Sequence, residues 1–282
     1  MDTPSLTHQY RTVVVSDVHL GTPDSRPERL LAFLGAIRCE TLVLNGDLLD
    51  VLQMQRRRWR WSPAKSDLFR QLARLIAAGT RVIYVPGNHD ECFRAMVGQT
   101  VAGVSLHREW RFALADGRQA LILHGDEFDA AIAPSLPKRW LGDLGYDWLL
   151  RLDRLGRRLR GARWQGSLAR AVKTRIPSAM AHVTRFEEAA LDHARREGVE
   201  VIICGHIHHA NLRRRDGVTY ANSGDWVEGC SALVEHGDGT LDVIEWADNP
   251  AADPRIDPRV DPRAEPTDRA PCEVDTPMAA GS

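Results

Sequence analysis

Five short polar motifs follow one another along the chain. They are Asp17-Val18-His19, Gly46-Asp47-Leu48-Leu49-Asp50, Gly87-Asn88-His89-Asp90, His124-Gly125-Asp126 and Gly205-His206-Ile207-His208. Between them they hold five of the eleven histidines, several carboxylates and an amide. Imidazole nitrogen with carboxylate and amide oxygen, and no cysteine, suits borderline-to-hard divalent ions such as manganese, iron or zinc. Two such ions roughly 3.5–4 Å apart can share a bridging carboxylate and hydroxide. Any one motif is commonplace, because Asp and Asn at strand ends serve equally as helix caps and turn residues. That bland reading leaves the ordered series of histidines without a reason. Asp17 and His19 stand two residues apart, so their side chains point the same way if a strand continues through them. Gly46, Gly87, Gly125 and Gly205 are expected to allow the sharp turns that bring backbone close to the ions.

Residues so far apart in sequence meet only if the scaffold returns repeatedly to one place. Val13–Val15, Leu42–Leu44 and Val82–Val85 read as strands, with helical spacing over Pro27–Ile37 and Lys65–Ala78. Strands alternating with helices argue for parallel βαβ units. Each motif directly follows a predicted strand, and in α/β sheets ligand sites form at the C-terminal ends of strands. The later half changes character. Trp110–Ala115 and Ala120–Leu123 flank Asp116-Gly117, Leu212–Arg215 and Val218–Ala221 flank Asp216-Gly217, and Ala232–Glu235 and Thr240–Trp246 flank a turn over Gly237–Gly239. Asp-Gly between apolar runs is a hairpin signal, so the sheets are expected to be mixed. Residues 130–197 read as helical, and Ala179–Glu197 stops at Gly198, a C-cap candidate. The folded unit is expected over residues 8–248. Residues 249–282 hold seven of the fifteen prolines and an Asp-Pro-Arg repeat, and are expected to be a disordered tail.

Taken in order, the five motifs resemble the signature of the calcineurin-like metallophosphoesterase superfamily, over residues 13–225. The resemblance implies an α/β fold: a four-layer αββα metallophosphoesterase sandwich with mixed sheets and a helical lid insertion at about 130–197. It implies that Asp17, His19, Asp47 and His208 hold one divalent ion. Asp47, Asn88, His124 and His206 would hold the other, with Asp47 bridging. Two ions are expected, manganese first, with iron or zinc as alternatives. His89 matches the residue that contacts the leaving-group oxygen or the transferring phosphoryl, and Asp50 matches the acid that orients it. Every metal-ligand position is filled.

Three features narrow the resemblance. These are Ser16-Asp17-Val18-His19-Leu20-Gly21-Thr22, the block His124-Gly125-Asp126-Glu127-Phe128-Asp129, and the helical stretch before Gly205. They are similar to the subfamily containing the UDP-2,3-diacylglucosamine diphosphatases of lipid A synthesis, where a helical insert forms a lid over the acyl chains. Here residues 138–175 carry eleven Lys or Arg against three Asp or Glu, a net of +8, interleaved with bulky apolar residues. A basic amphipathic helix suits an anionic lipid or membrane surface. A helical hairpin packed on the domain with solvated arginines would show the same pattern. Arg56-Arg57-Arg58-Trp59-Arg60-Trp61 is a second basic–aromatic cluster. Arg56, Arg57, Arg58, Lys138, Arg139 and Trp140 are therefore candidate substrate contacts. The lipid A enzymes carry Asn-Arg-Asp where this chain has Asn88-His89-Asp90, so another phospholipid or nucleotide-linked substrate stays open.

The remaining sequence sets bounds. Of 282 residues, 43% are apolar and 27% charged, with a net charge of -1, which excludes collagen, coiled coil and wholesale disorder. The longest apolar-or-glycine run is the eight residues Leu30–Ile37, and a membrane span needs about 20. The first fifteen residues show no export-signal pattern, and the five cysteines form no C-x-x-C pair. A cytoplasmic protein with reduced thiols is expected, peripheral on the inner membrane face if it acts on lipid. Charge near neutrality argues against extensive duplex binding, though a local basic stretch leaves single-stranded nucleic acid open. Three functional readings follow: a pyrophosphatase or phosphodiesterase for a lipid- or nucleotide-linked substrate, a nuclease or cyclic-nucleotide or dinucleotide phosphodiesterase on the same site, and a non-catalytic interaction module. The last predicts lost ligands, which are not seen. No obligate protein partner is inferred.

Overall fold

The structure, a computed structural model, describes residues 8–56, 61–129 and 177–246. The expected lid over 130–176 and tail over 249–282 lie outside the described residues, as do Arg57, Arg58, Lys138, Arg139 and Trp140. The described chain forms two mixed sheets. The first has seven strands in the order β12-β11-β1-β2-β3-β5-β4. These are β1 (His8–Val15), β2 (Ile37–Asn45), β3 (Arg81–Val85), β4 (Thr100–Val101), β5 (Val104–Leu106), β11 (Ser231–Glu235) and β12 (Leu241–Glu245). The second has five, β6-β7-β8-β10-β9: β6 (Trp110–Ala113), β7 (Gln119–Ile122), β8 (Val201–Cys204), β9 (Asn211–Arg215) and β10 (Val218–Asn222). The central pairs β1–β2, β2–β3, β7–β8 and β8–β10 are parallel. The three predicted hairpins close as antiparallel pairs β6–β7, β9–β10 and β11–β12.

Alternation along the strands builds the layers. Val13 and Val15 face a core shared with α1 (Pro27–Ala36) and α3 (Pro63–Ala77), through Leu30, Leu34, Leu68 and Leu72. Val14 and Val43 face the other way, into a core completed by Ile122, Val201, Ile203 and Ala221 of the second sheet. Leu121, Ile202, Cys204 and Tyr220 face a third core, covered by Phe186, Ala190, Leu191 and Ala194 of α4 (Pro177–Glu197). A side-chain period of two thus gives each sheet two apolar faces and the chain a four-layer αββα arrangement.

Several boundaries differ from expectation, for local reasons. The helix over Pro27–Ile37 stops at Ala36, because Ile37 is already extended and pairs with His8 in the β1–β2 ladder. The stretch expected as a helical insertion, about 130–197, is described from residue 177 onward. Residues 177–197 are the outer layer of the second sheet, drawn there by the apolar stripe around Phe186. α4 ends at Gly198, φ 66°, where Val199 N–H closes the turn onto Ala194 O at 3.1 Å. Two small elements carried no clear signal. One is the single-turn α2 (Val51–Arg56), which ends at Arg56 of the basic run. The other is the β4–β5 hairpin, turned by Ala102 and Gly103 at φ 51° and 84°.

Candidate metal centre

All five motifs lie on loops leaving strand ends: after β1 (Asp17, His19), β2 (Asp47, Asp50), β3 (Asn88, His89), β7 (His124) and β8 (His206, His208). Neighbouring parallel strands place those loops side by side. Main-chain bonds then lock them together: Asp17 N–H to Gly46 O at 3.1 Å, His19 N–H to Asp47 O at 2.8 Å, and Gly205 N–H to His124 O at 2.9 Å. Asp17 Oδ2 accepts the N–H of His206 at 3.0 Å, and Asp47 Oδ1 accepts that of His89 at 2.9 Å. Each carboxylate thus spends one oxygen on fixing the loops and turns the other inward.

The inward atoms converge. Asp47 Oδ2 lies 3.6 Å from His19 Nε2, 3.5 Å from His124 Nε2 and 4.0 Å from His89 Nε2. Asp17 Oδ1 lies 3.2 Å from His208 Nε2, which itself faces His19 Nε2 at 3.1 Å. Asp17, His19 and His208 form one group whose donor atoms could hold an ion, and Asp47, His124 and His206 form another. Asp17 Oδ1, Asn88 Oδ1 and His124 Nε2 are buried and make no hydrogen bond. Buried polar atoms turned toward one another and left without partners are costly, and a cation taking the place of the protons they share resolves them. The donor set therefore fits two divalent ions, with Asp47 placed between the two groups. Asp50 stands behind the centre, with Oδ2 at 3.1 Å from His89 Nδ1 and 3.5 Å from His19 Nδ1. His89 keeps 34% of its side chain exposed, against 22% for His208, 15% for His206 and 1% for His124.

The backbone corrects one expectation. β1 ends at Val15, so Asp17 and His19 do not continue a strand. Both adopt left-handed conformations, φ 54° and 48°, as do Asp47 (53°), His206 (67°) and His208 (50°). Asp and His tolerate that region better than most residues, and strained residues of this kind cluster at functional sites. Here the inter-loop bonds hold the strain, and the turns rather than the pleat aim the side chains. The close approach expected at the glycines is seen at Gly46, where a Cβ would collide with the His124 ring, and at Gly87, where it would collide with Asp47 Oδ1 and approach His124 Nε2 to 2.7 Å.

Charge in the centre is strongly paired. Burial alone would raise Asp17 and Asp47. The histidines around them outweigh it, holding Asp17 far below the carboxylate range and Asp47 at about 2. Burial opposes a proton on His124, yet the facing Asp47 and the nearby Asp17 push its pKa up to about 10. His89 is likewise raised against burial, chiefly by Asp50 and then by the Asp47 charge. Asp50 is lowered against burial by the His19 and His89 rings and the Gln53 N–H.

Three supporting groups escaped the sequence reading. Asp90, fully buried, accepts the N–H groups of Leu48 (2.8 Å), Leu49 (3.3 Å) and Gly87 (2.7 Å) and the Tyr84 hydroxyl. It stands inside a quoted motif, but nothing local reveals that it clasps two loops. Arg94 places one nitrogen 2.8 Å from both oxygens of Asp126, tying the segment after β3 to the loop after β7. Asp129 bonds the His206 ring at 2.9 Å. Of the expected substrate contacts, Arg56 closes α2 and the others lie outside the described residues. Beside them in sequence, Trp61 stacks on Phe69 with ring centres 5.6 Å apart.

Two mixed sheets packed together, with His, Asp and Asn donors gathered at their strand ends, define a candidate metal-dependent hydrolase. Residues 10–210 match the calcineurin-like phosphoesterase family, and the chain belongs to it. This is a class of metal-dependent phosphoester hydrolases. No curated protein matches the chain. Among solved structures it is similar to an archaeal phosphodiesterase at 13% identity, TM-score 0.41, covering 83% of this chain and 98% of that one. It is also similar to Vps29 from Entamoeba histolytica complexed with zinc (14%, TM-score 0.38, 84% and 99%). A third is a predicted phosphoesterase from Streptococcus pneumoniae (14%, TM-score 0.32, 84% and 97%).

Proposed function

We infer that this phosphoesterase uses two divalent ions to hydrolyse a phosphodiester or pyrophosphate bond in a lipid-linked nucleotide, UDP-2,3-diacylglucosamine or a close analogue. The observation that carries the two-ion reading is Asp47 Oδ2, within 4.0 Å of ring nitrogens of His19, His124 and His89. Asp17, His19, Asp47 and His208 would hold one ion, and Asp47, Asn88, His124 and His206 the other, with manganese the first choice. When bound, the ions supply an ionised water and neutralise phosphoryl oxygens. The protein's own part is to aim and to move a proton. The Asp50 carboxylate, 3.1 Å from His89 Nδ1, favours the protonated ring, whose Nε2–H would serve as donor to the departing oxygen. Asp90 and Arg94 keep the loops in register.

The lipid-linked substrate is supported by sequence: the basic–apolar stretch 138–175, and the basic run at Arg56–Arg58 beside the exposed Trp61. Among the described residues no helix is long and apolar enough to cross a membrane. The proposed contact with lipid is peripheral, at the inner face of the cytoplasmic membrane. The experiment is hydrolysis of UDP-2,3-diacylglucosamine with added Mn²⁺, followed by phosphorus NMR, with Asp47→Ala and His89→Ala as controls. UMP release that vanishes in Asp47→Ala supports the reading. Cleavage of bis-p-nitrophenyl phosphate without UMP release sinks the lipid substrate, keeps the metal chemistry, and favours a dinucleotide or single-stranded nucleic acid.

A further inference from the structure

We propose that Asp129 is a positioning residue for the second ion, fixing the His206 ring so that Nδ1, and not Nε2, is the atom offered to the metal. This rests on the two-ion reading above. His206 Nε2 lies 2.9 Å from Asp129 Oδ1. An ionised carboxylate only accepts hydrogen bonds, so Nε2 carries the hydrogen and the lone pair is left on Nδ1. The other histidines of the centre are set differently. His124 is held through Nδ1, which donates to Asn45 O at 2.9 Å and leaves Nε2 inward. His19 and His208 turn Nε2 toward each other at 3.1 Å. Among the described contacts, His206 Nε2 meets an acidic side chain outside the ligand set.

The brace is rigid because of where it stands. Asp129 follows the short turn Asp126–Phe128, which begins right after His124 and Gly125. Phe128 is buried against the rings of Phe186 (5.5 Å) and His193 (5.6 Å). Gly125, at φ 113°, lets the turn lie on α4, since a Cβ there would come within 2.6 Å of Phe186 Cζ. One segment of six residues, His124 to Asp129, thus supplies one expected ligand of the second ion and the brace for another. The Asp129 side chain is itself 54% exposed. A carboxylate that open contributes little to folding, so replacing it tests the centre and not the fold.

Metal-binding histidines commonly donate their second N–H to a carboxylate, and losing that partner typically costs about 10–100-fold in metal affinity. The test is calorimetric titration of the full chain with Zn²⁺, comparing Asp129→Ala and Asp129→Asn with the wild type. It is joined to nitrogen-15 NMR of the imidazoles in the Zn²⁺-loaded protein. The expected result is two binding events in the wild type, one of them weakened about 10–100-fold in Asp129→Ala while the other holds. Asp129→Asn, which still offers an oxygen to Nε2–H, should restore part of the loss. The wild-type His206 should show its hydrogen on Nε2. Unchanged affinities in Asp129→Ala, equal weakening of both events together with a lower melting temperature, no rescue by Asn, or a metal-bound Nε2 each overturn the proposal. A wild type that binds no Zn²⁺ overturns the two-ion reading and this proposal together.

Discussion

At the scale of single residues, the pairing of Asp50 with His89 makes the sharpest demand. Asp50 Oδ2 stands 3.1 Å from His89 Nδ1, and the His89 pKa is raised despite burial. A raised histidine pKa keeps the donor form present to higher pH, so the rate should fall only as pH climbs through that raised value. Removing the charge in Asp50→Asn lets the pKa drop, and the falling limb of the pH–rate profile should move to lower pH. The rate above that limb should drop by about 10²-fold or more, the ordinary worth of a positioned proton donor. An ester with an alcohol leaving group is the proper substrate, because such an oxygen needs the proton. A falling limb that stays put in Asp50→Asn would show that Asp50 serves His19 alone. His89→Ala separates chemistry from binding: metal content should match the wild type by elemental analysis, while turnover falls about 10²–10⁴-fold. Metal loss in that variant would place His89 among the ligands.

At the scale of elements, the centre is only as stable as the clasps between its loops. Asp90 joins the loop after β2 to the end of β3 through three N–H groups and the Tyr84 hydroxyl. Tyr84→Phe removes one partner and should cost about 1 kcal/mol. Asp90→Ala strands several buried donors at once, each worth about 1–3 kcal/mol, so a loss of roughly 3 kcal/mol or more is expected. Urea midpoints at unchanged slope measure both. A Tyr84→Phe loss as large as that of Asp90→Ala would mean the tyrosine ring, and not the carboxylate, carries the clasp. What was legible in the sequence follows from the same distinction. Val13–Val15, Leu42–Leu44 and the Asp-Gly hairpins were readable because burial with period two and turn chemistry are local signals. The motif residues were readable as a set because His and Asp recur after strands. The left-handed turns at Asp17 and His19 were not, since the bonds that hold them come from Gly46 and Asp47, 29 and 28 residues further along. Nor were Asp90 and Asp129 readable as braces, because a carboxylate's partner is a tertiary fact. Ala102-Gly103 lacks the Asn or Asp that usually marks a tight hairpin, and β4 and β5 passed unseen.

At the scale of the whole molecule, the chain gathers Asp17, Asp47 and Asp50 with five histidines at one place where both sheets meet solvent-facing loops. Without ions that gathering is held together by protons. His124 carries one with a pKa of about 10, and the carboxylates beside it are correspondingly lowered. The direction of the linkage follows. A group whose pKa is raised on folding, from an ordinary value near 6.5, stabilises the fold fully below that value and loses the effect as pH rises through the raised one. The ion-free protein should therefore lose this contribution between about pH 6.5 and pH 10. A divalent ion must displace the same proton, so its apparent affinity should rise over that window, by up to about tenfold per pH unit for each proton released. Metal should thus stabilise the protein more at pH 8 than at pH 6. At an ion concentration 100 times the dissociation constant the gain is about 2.7 kcal/mol, or roughly 5–10 °C in melting temperature for a folded unit of this size. Thermal unfolding with EDTA or with Mn²⁺ at the two pH values measures it. Calorimetric titration in two buffers of different ionisation enthalpy counts the protons directly. Identical binding heats in both buffers at pH 7 would mean that no proton leaves, and that His124 is neutral before the ion arrives. The pairing of His124 with Asp47 and Asp17 would then be absent from the ion-free protein, and the metal would enter a centre whose histidine lone pairs are already free.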